Sequence, residues 1–140
     1  MRKKIFFDAN VLVDLINAAN DFHSPSIYLF NELRKREESL YCSPTSFAIT
    51  YYLWNKAIKN KKFLNRQVIE FFSDFQFTKE DHLIMQEVKK SNFRDLEDAL
   101  QYFSAKDAGI NVIITKNYFD FEHSKIPVYH PLEYISKFLL

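Results

Sequence analysis

The sequence predicts a single α/β domain over residues 1–140, built around a central, mostly parallel sheet of about four to five strands. Three observations support this fold class. Short runs of β-forming residues alternate with helical segments of about ten or more residues, and strands connected in this way pair in parallel. The run NVIIT, at residues 111–115, is apolar enough for a strand buried on both faces. The single glycine is too few for the tight turns of an all-β fold.

The chain begins with a predicted strand at residues 3–8, KKIFFD, which leads directly into a helix. The helix is indicated by apolar side chains at helical spacing, namely Val11, Leu12, Leu15, Ile16 and Ala19. A second helix is predicted over residues 24–38, with Ser24 as its N-cap and Pro25 in the first helical position. Residues 39–43, SLYCS, then predict a short strand.

The central part of the sequence is mostly helical by the same criteria. A second Ser-Pro pair opens a long aromatic helix over residues 44–60, and another helix is predicted over residues 63–74. Residues 75–78, FQFT, predict a short strand, and residues 79–91 predict a further helix.

The last third of the chain repeats the alternation of helix and strand. Residues 95–109 predict a helix that ends at Gly109, the residue type expected after a helix C-terminus. Its apolar face consists of Leu96, Leu100 and Phe103. After the strand NVIIT, the sequence predicts a short strand at residues 126–130 and a closing helix at residues 131–140.

Composition excludes several classes of function. There are 19 basic and 18 acidic residues, so the net charge of +1 gives no general attraction to nucleic acid or to anionic lipid. Cys42 is the only cysteine, which excludes an internal disulfide and a cysteine zinc site and fits a reducing cytosol. No segment approaches the ~20 apolar residues of a membrane span. We therefore expect a cytoplasmic protein without membrane contact.

Acidic and polar side chains follow two of the predicted strands. Asp8 ends the first strand, and Thr115, Asn117 and Asp120 follow the buried strand NVIIT. Ligand sites of open parallel sheets lie beyond the carboxyl ends of the strands, so these side chains are expected on one rim.

Two further carboxylates, Asp95 and Asp98, are three residues apart and share one face of a helix start. Gathering carboxylates is unfavourable, because two like charges at 4 Å repel by about 1 kcal/mol in water and about 4 kcal/mol at an effective dielectric of 20. A cation reverses the sign of this cost. Oxygen ligands favour Mg²⁺ or Mn²⁺, and the corresponding chemistry is metal-assisted hydrolysis of phosphodiesters.

The order of these motifs resembles that of the PIN domain family over almost the whole chain. The matching pieces are D-x-N after the first strand, then FRDLEDALQYFSA, then T-x-N-x-x-D-F, and finally the strand and helix that begin near VYHP. The resemblance implies a PIN-like α/β/α sandwich and a ribonuclease, a hydrolase, that depends on Mg²⁺ or Mn²⁺. It also implies similarity to the VapC-type toxins of bacterial toxin-antitoxin pairs, with RNA as substrate and an antitoxin protein as partner.

The resemblance also assigns roles by position. The expected metal ligands, which are also catalytic, are Asp8, Asp98 and Asp120. The expected supporting residues are Asn10, Thr115 and Asn117. Asp95 is expected as an additional catalytic carboxylate that orients water. Arg94 and Lys116 are next in sequence to these positions and are therefore expected to contact RNA.

The sequence departs from the family pattern at one place. Many members carry a glutamate in the third helix, near Ile49 or Thr50, and no acid is present there. The site would lose one ligand or water-positioning oxygen. An alternative function is therefore a catalytically weak or inactive PIN-like domain that binds RNA or a protein through the same surface.

Structural roles remain open for each carboxylate taken alone. Asp8 and Asp95 could be helix N-caps, Asp98 could interact with the helix dipole, and Asp120 could be a turn residue. A phosphate-transfer enzyme of the haloacid dehalogenase type is disfavoured because it needs D-x-D, and position 10 is Asn.

The remaining candidate residues are expected to have structural roles and no part in the chemistry. The four histidines have no metal-ligand spacing and are expected at the surface or in loops; they are His23, His82, His123 and His130. The aromatic run Tyr51, Tyr52 and Trp54 is a candidate for a homodimer or partner contact, since aromatic residues are enriched in interface cores.

Overall fold

A computed structural model, which describes residues 2–140, shows a five-stranded sheet in which every pair of neighbouring strands is parallel. The strands are β1 (Lys4–Phe7), β2 (Ser39–Cys42), β3 (Phe75–Phe77), β4 (Val112–Ile114) and β5 (Val128–Tyr129). Their order across the sheet is β3-β2-β1-β4-β5. The predicted α/β class and the parallel sheet are confirmed.

Helices cover both faces of this sheet. They are α1 (Ala9–Ile16), α2 (His23–Lys35), α3 (Pro44–Ala57), α4 (Lys61–Phe72), α5 (His82–Lys90), α6 (Leu96–Asp107) and α7 (Pro131–Tyr134). A short 3-10 helix lies at Tyr118–Phe121, and α7 continues as a π-helical turn over Ile135–Leu139.

Alternation along β1 divides the core into two layers, because successive side chains of a strand point to opposite faces. Ile5 and Phe7 join a cluster with buried side chains of α1, α2, α4 and α7. Phe6 points the other way and packs with Val88 of α5 and with α6 residues such as Ala99. The architecture is therefore the α/β/α sandwich that the PIN resemblance implies.

Two predicted details of the helices are wrong. α2 begins at His23 after Phe22, which makes no side-chain capping bond, so Ser24 is inside the first turn instead of capping it. Leu96 is 61% exposed and does not belong to the apolar face of α6. Gly109, by contrast, follows the end of α6 with φ +71°, a left-handed conformation that glycine adopts without strain.

The aromatic run of α3 divides between core and surface. Tyr51 and Trp54 are partly buried against the larger cluster, whereas Tyr52 is 59% exposed. Across residues 2–140, no helix is both long and apolar enough to cross a bilayer.

The strand order places the expected site at the centre of the sheet. The chain runs from β1 outward through β2 to β3, then returns to the other side of β1 to form β4 and β5. The order therefore reverses between β1 and β4, which is where ligands of open α/β sheets bind. Asp8 and Thr115 follow directly after the carboxyl ends of these two strands.

Candidate active site

Asp8 connects β1 to α1 and is the N-cap of that helix. Its Oδ1 accepts a 2.7 Å hydrogen bond from the backbone N–H of Ala9, so the carboxylate satisfies a donor at the helix N-terminus. Asp8 is only 3% exposed, and burial is the main cause that raises its pKa to about 6. The capping alternative is confirmed, and Oδ2 is left for other partners.

Two polar side chains meet the second oxygen of Asp8. The Thr115 hydroxyl donates to Oδ2 at 2.7 Å, and Asn10 Nδ2 donates to the same oxygen at 3.1 Å. Asn10 Nδ2 also contacts Thr115 Oγ1 at 3.3 Å, and this oxygen accepts the backbone N–H of Asn117 at 3.0 Å. These bonds fix the direction of the Asp8 carboxylate and join the loop after β4 to the start of α1. Asn117 takes part through its backbone.

The start of α6 supplies two more carboxylates with different surroundings. Asp95 is exposed and caps the helix, because its Oδ1 accepts the backbone N–H groups of Glu97 at 2.8 Å and Asp98 at 3.3 Å. Asp98 is 5% exposed, and its Oδ2 has no hydrogen-bond partner within residues 2–140. A buried carboxylate oxygen without a partner is costly unless it is protonated or binds a cation.

Asp8 and Asp98 are close enough to Asp120 for its charge to raise the pKa of both. Burial is the main cause that raises the pKa of Asp98 to about 8, and the charges of Asp8, Asp95 and Asp120 raise it further. A hydrogen bond with Asp120 adds to this shift. Asp120 is in the 3-10 helix after β4, with its backbone N–H bonded to the Asn117 carbonyl oxygen. The three carboxylates thus share one acidic region.

These carboxylates do not form a preassembled metal cage. Within the described part of the chain, no three acidic, histidine or cysteine side chains converge tightly enough to hold an ion as they stand. The donor set nevertheless fits Mg²⁺ or Mn²⁺, because such ions bind through one or two carboxylates and keep several waters. Oδ2 of Asp98 has no hydrogen-bond partner in the described residues and is the kind of oxygen atom that such ions bind.

The two cations expected to contact RNA differ in their surroundings. Arg94 is exposed beside Asp95 and forms no ion pair within residues 2–140. Lys116 is 26% exposed, and its ammonium lies 2.7 Å from Oδ2 of Asp14. The backbone N–H of Lys116 also donates to Asn10 Oδ1 at 3.1 Å.

Sequence reasoning missed two acidic residues of this region. Glu97 raises the pKa of Asp8 through its charge, more than Asp120 does, so it faces the same region from the first turn of α6. Asp14 is 1% exposed and is the partner of Lys116. The signal for Asp14 was its position within the apolar stretch VLVDLI, where a carboxylate needs a buried partner.

The third helix has no acid near this region but does present buried hydroxyls. Ser46 Oγ accepts a 2.9 Å bond from Gln101 Nε2 of α6 and a 3.1 Å bond from Ser43 Oγ. Thr50 is fully buried, and its hydroxyl has no partner within residues 2–140. This helix, Pro44–Ala57, therefore contributes buried hydroxyl groups and contains no carboxylate side chain.

The comparisons with known proteins agree with this architecture. Residues 4–118 match the PIN domain profile. The chain is 30% identical over 119 residues to Ribonuclease VapC1 of Aquifex aeolicus, which covers 82% of each chain.

Solved structures show the same fold at lower identity. VapBC-1 from nontypeable Haemophilus influenzae matches with a TM-score of 0.67 and 13% identity, over 92% of this chain and 98% of that one. VapBC2 from Rickettsia felis, bound to a DNA fragment from its promoter, matches with a TM-score of 0.66 and 18% identity, over 91% and 98%. The sequence match and the shared architecture lead to one conclusion: the chain belongs to the PIN domain family.

Proposed function

We propose that the protein is a metal-dependent endoribonuclease that hydrolyses RNA phosphodiester bonds and acts as the toxin of a VapBC-type toxin-antitoxin pair. The observation that carries this proposal is the acidic region between β1 and β4, where Asp98 keeps a buried oxygen without a hydrogen-bond partner among residues 2–140. The relative from Aquifex aeolicus is named a ribonuclease, which supports the same activity here.

Each residue of the region has a defined part in the proposed reaction. Asp8, Asp98 and Asp120 would hold Mg²⁺ or Mn²⁺. Held there, such an ion would supply a water of lowered pKa and would stabilise negative charge on the phosphodiester oxygens. Thr115 and Asn10 orient Asp8 by donating to its Oδ2. A fixed carboxylate loses less entropy when it binds an ion, so these bonds favour metal affinity.

Two further residues are assigned to the orientation of water and to contact with the RNA substrate. Oδ1 of Asp95 is used for the cap of α6, and we assign its other oxygen to the orientation of a water. Arg94 is placed to contact an RNA phosphate, because its guanidinium is exposed next to Asp95 and forms no ion pair in the described residues. Lys116 was expected to share this role, but its ammonium is paired with Asp14.

An antitoxin partner is part of the same proposal. The solved structures that share this fold include toxin-antitoxin complexes, among them one from Klebsiella pneumoniae with a TM-score of 0.66 and 20% identity. Co-expression with the product of a small neighbouring gene, followed by purification through that product, tests for such a partner. A complex that suppresses RNA cleavage is expected. A neighbour that neither binds nor inhibits would count against the toxin assignment.

The activity is tested by incubating the purified protein with RNA and Mn²⁺ or Mg²⁺. Cleavage is expected with either ion, and it should be lost with EDTA and in the variants Asp8→Asn and Asp120→Asn. Asp120→Asn is the cleaner variant, since Asp8 also caps a helix. Asp21→Asn, an exposed acid in the turn before α2, is the matched control and should keep full activity. Equal cleavage by Asp120→Asn and Asp21→Asn would refute the metal-site assignment.

A second candidate function is a PIN-like binding module without catalysis. It is favoured by the absence of a third-helix carboxylate and by the lack of a preassembled cluster among the described residues. Folded protein that retains RNA but leaves it intact at saturating Mn²⁺ would support this function instead of the nuclease.

A further inference from the structure

Lys116 forms a buried ion pair that the proposed function does not use. Its Nζ lies 2.7 Å from Asp14 Oδ2, and Asp14 is 1% exposed. Apart from the Lys116 ammonium, that oxygen has no polar partner within residues 2–140, so it depends on the ammonium for compensation. Asp14 Oδ1 is satisfied separately by Asn20 Nδ2 at 2.9 Å. A carboxylate this deeply buried holds its cation firmly, because either charge alone would be costly.

The aromatic side chain of Phe22 contacts the same lysine. The Lys116 ammonium lies 5.3 Å from the centre of the Phe22 ring, a distance at which a cation is attracted to the ring face. Phe22 in turn packs edge-on against His130. The Lys116 ammonium therefore lies between Asp14 of α1 and Phe22 of the segment that follows it.

The ion pair attaches Lys116 itself to α1 at a second point. The first point is the backbone N–H of Lys116, which donates to Asn10 Oδ1 in the first turn of α1. Asp14 lies one helical turn further along. Two attachments one turn apart fix both the position and the rotation of the loop. The neighbouring residue Thr115 directs the carboxylate of Asp8 from this loop.

We propose that Lys116 and Asp14 form a positioning pair: they hold the loop of residues 115–117 against α1, and thereby orient Asp8 for metal binding, so that Lys116 does not contact RNA phosphate. This inference deepens the proposed function and rests on it. Changes to the partners behind a metal ligand commonly weaken affinity or activity by about 10-fold to 100-fold. The pair is expected to act within this range although neither residue touches the ion.

A double-mutant cycle with Lys116→Met and Asp14→Asn tests the pair. Lys116→Met leaves the buried Asp14 carboxylate uncompensated, so Mn²⁺ affinity should fall about tenfold or more. Asp14→Asn removes this charge, and its amide oxygen can still accept the bond from Asn20. Adding Asp14→Asn to Lys116→Met should therefore restore Mn²⁺ affinity to within about threefold of Asp14→Asn alone. Mn²⁺ affinity is measured by calorimetry, without RNA.

The same variants distinguish positioning from phosphate contact. Loss of a phosphate contact weakens RNA binding and reduces its salt dependence by about one counterion, and Asp14→Asn would not repair it. A positioning role predicts an unchanged salt dependence, a lower kcat with KM nearly unchanged, and rescue of both Mn²⁺ affinity and kcat by Lys116→Arg. Lys89→Met, an exposed lysine of α5 without an ion pair in the described residues, is the control and should change nothing.

The outcomes separate this inference from the proposed function. If wild-type protein binds Mn²⁺ but never cuts RNA, the proposed nuclease activity is contradicted. The Mn²⁺ affinities of the double-mutant cycle still test the Lys116–Asp14 pair in that case. Wild-type cleavage combined with unaltered Mn²⁺ affinity in both single variants overturns the positioning pair alone. If Lys116→Met does not fold, recovery of folding by Asp14→Asn supports the pair, and the Mn²⁺ affinities of Asp14→Asn and Lys116→Arg then decide its positioning role.

Discussion

Thr115 illustrates how one hydroxyl can join the strand ends at the candidate site. It is fully buried, donates to Asp8 Oδ2, and accepts from the backbone N–H of Asn117. Thr50 is equally buried, yet its hydroxyl has no partner in the described residues. The chain therefore offers two buried threonines that differ in whether the hydroxyl is bonded.

Replacing each threonine by valine should give opposite results. Thr115→Val leaves a buried carboxylate oxygen short of a donor, so the free energy of unfolding should fall by about 1–3 kcal/mol, and Mn²⁺ affinity should fall as well. Thr50→Val removes an unsatisfied polar atom while keeping its shape, so it should be neutral or stabilising. Urea unfolding and Mn²⁺ titration measure both effects. Equal losses of stability in the two variants would show that the Thr115 bond has no special role.

Sequence reasoning at this scale identified side chains by their position after a strand, but not their partners. Asp8 and Thr115 were found because both follow strands that pair in the centre of the sheet. Lys116 was assigned to RNA because it is next to Thr115 in sequence, whereas its side chain reaches Asp14 of another element. Neighbours along a chain share a location, but the direction of a long side chain depends on packing that sequence does not show.

At the scale of elements, the N-terminus of α6 combines a structural and a proposed chemical role. Asp95 caps the helix, and Asp98 follows in its first turn. The cap satisfies backbone donors and holds the first turn, and with it Asp98, next to β1 and β4. The two roles of Asp95 are separable, because serine can cap a helix but has no carboxylate.

Asp95→Ser and Asp95→Ala should therefore differ according to the role of Asp95. The serine variant should keep stability within about 0.5 kcal/mol, while the alanine variant should lose about 1 kcal/mol through the missing cap. If the carboxylate orients water, both variants should lose RNA cleavage by about tenfold or more. Cleavage at the wild-type rate in Asp95→Ser would show that Asp95 caps α6 and does not orient water.

The starts of α2 and α3 show that a Ser-Pro pair does not by itself determine where a helix begins. The Ser-Pro pair before α3 behaves as expected, since Ser43 Oγ accepts the backbone N–H of Ser46. The similar pair at Ser24 and Pro25 lies inside α2 instead, because the helix begins earlier at His23. The same dipeptide thus occupies two different positions at the start of a helix.

At the scale of the whole molecule, the alternation of strands and helices was sufficient to predict the fold. It identified all five strands and the two helical layers, because parallel strands are usually connected by helical crossovers. It also predicted that Asp8 and the residues after NVIIT share one rim of the sheet, and the strand order does reverse between β1 and β4, which those residues follow. The approach of α6 to this edge was not predictable from spacing alone, so Glu97 was missed.

The convergence of β1, β4 and α6 on one acidic region has a consequence for the stability of the whole fold. The pKa of Asp8 is raised to about 6 and that of Asp98 to about 8, in each case mainly by burial. A raised folded-state pKa means that the folded protein prefers the protonated carboxyl. The resulting stabilisation is complete below the unfolded pKa of 3.8 and is lost as the pH rises through the folded values.

Metal-free protein should therefore lose stability between about pH 5 and about pH 8.5, by about 3 kcal/mol more than the variant Asp98→Asn, which cannot ionise at this position. Saturating Mn²⁺ should reverse the trend, because deprotonated carboxylates bind the ion and binding to the folded state stabilises it. At about 100 times Kd the gain is about 3 kcal/mol, or roughly 8 °C in Tm. Thermal unfolding of both proteins at each pH, with EDTA or Mn²⁺, measures these differences. Parallel pH profiles for wild type and Asp98→Asn in EDTA would contradict the buried, protonated Asp98, and an equal Mn²⁺ shift in both would contradict its role as a ligand.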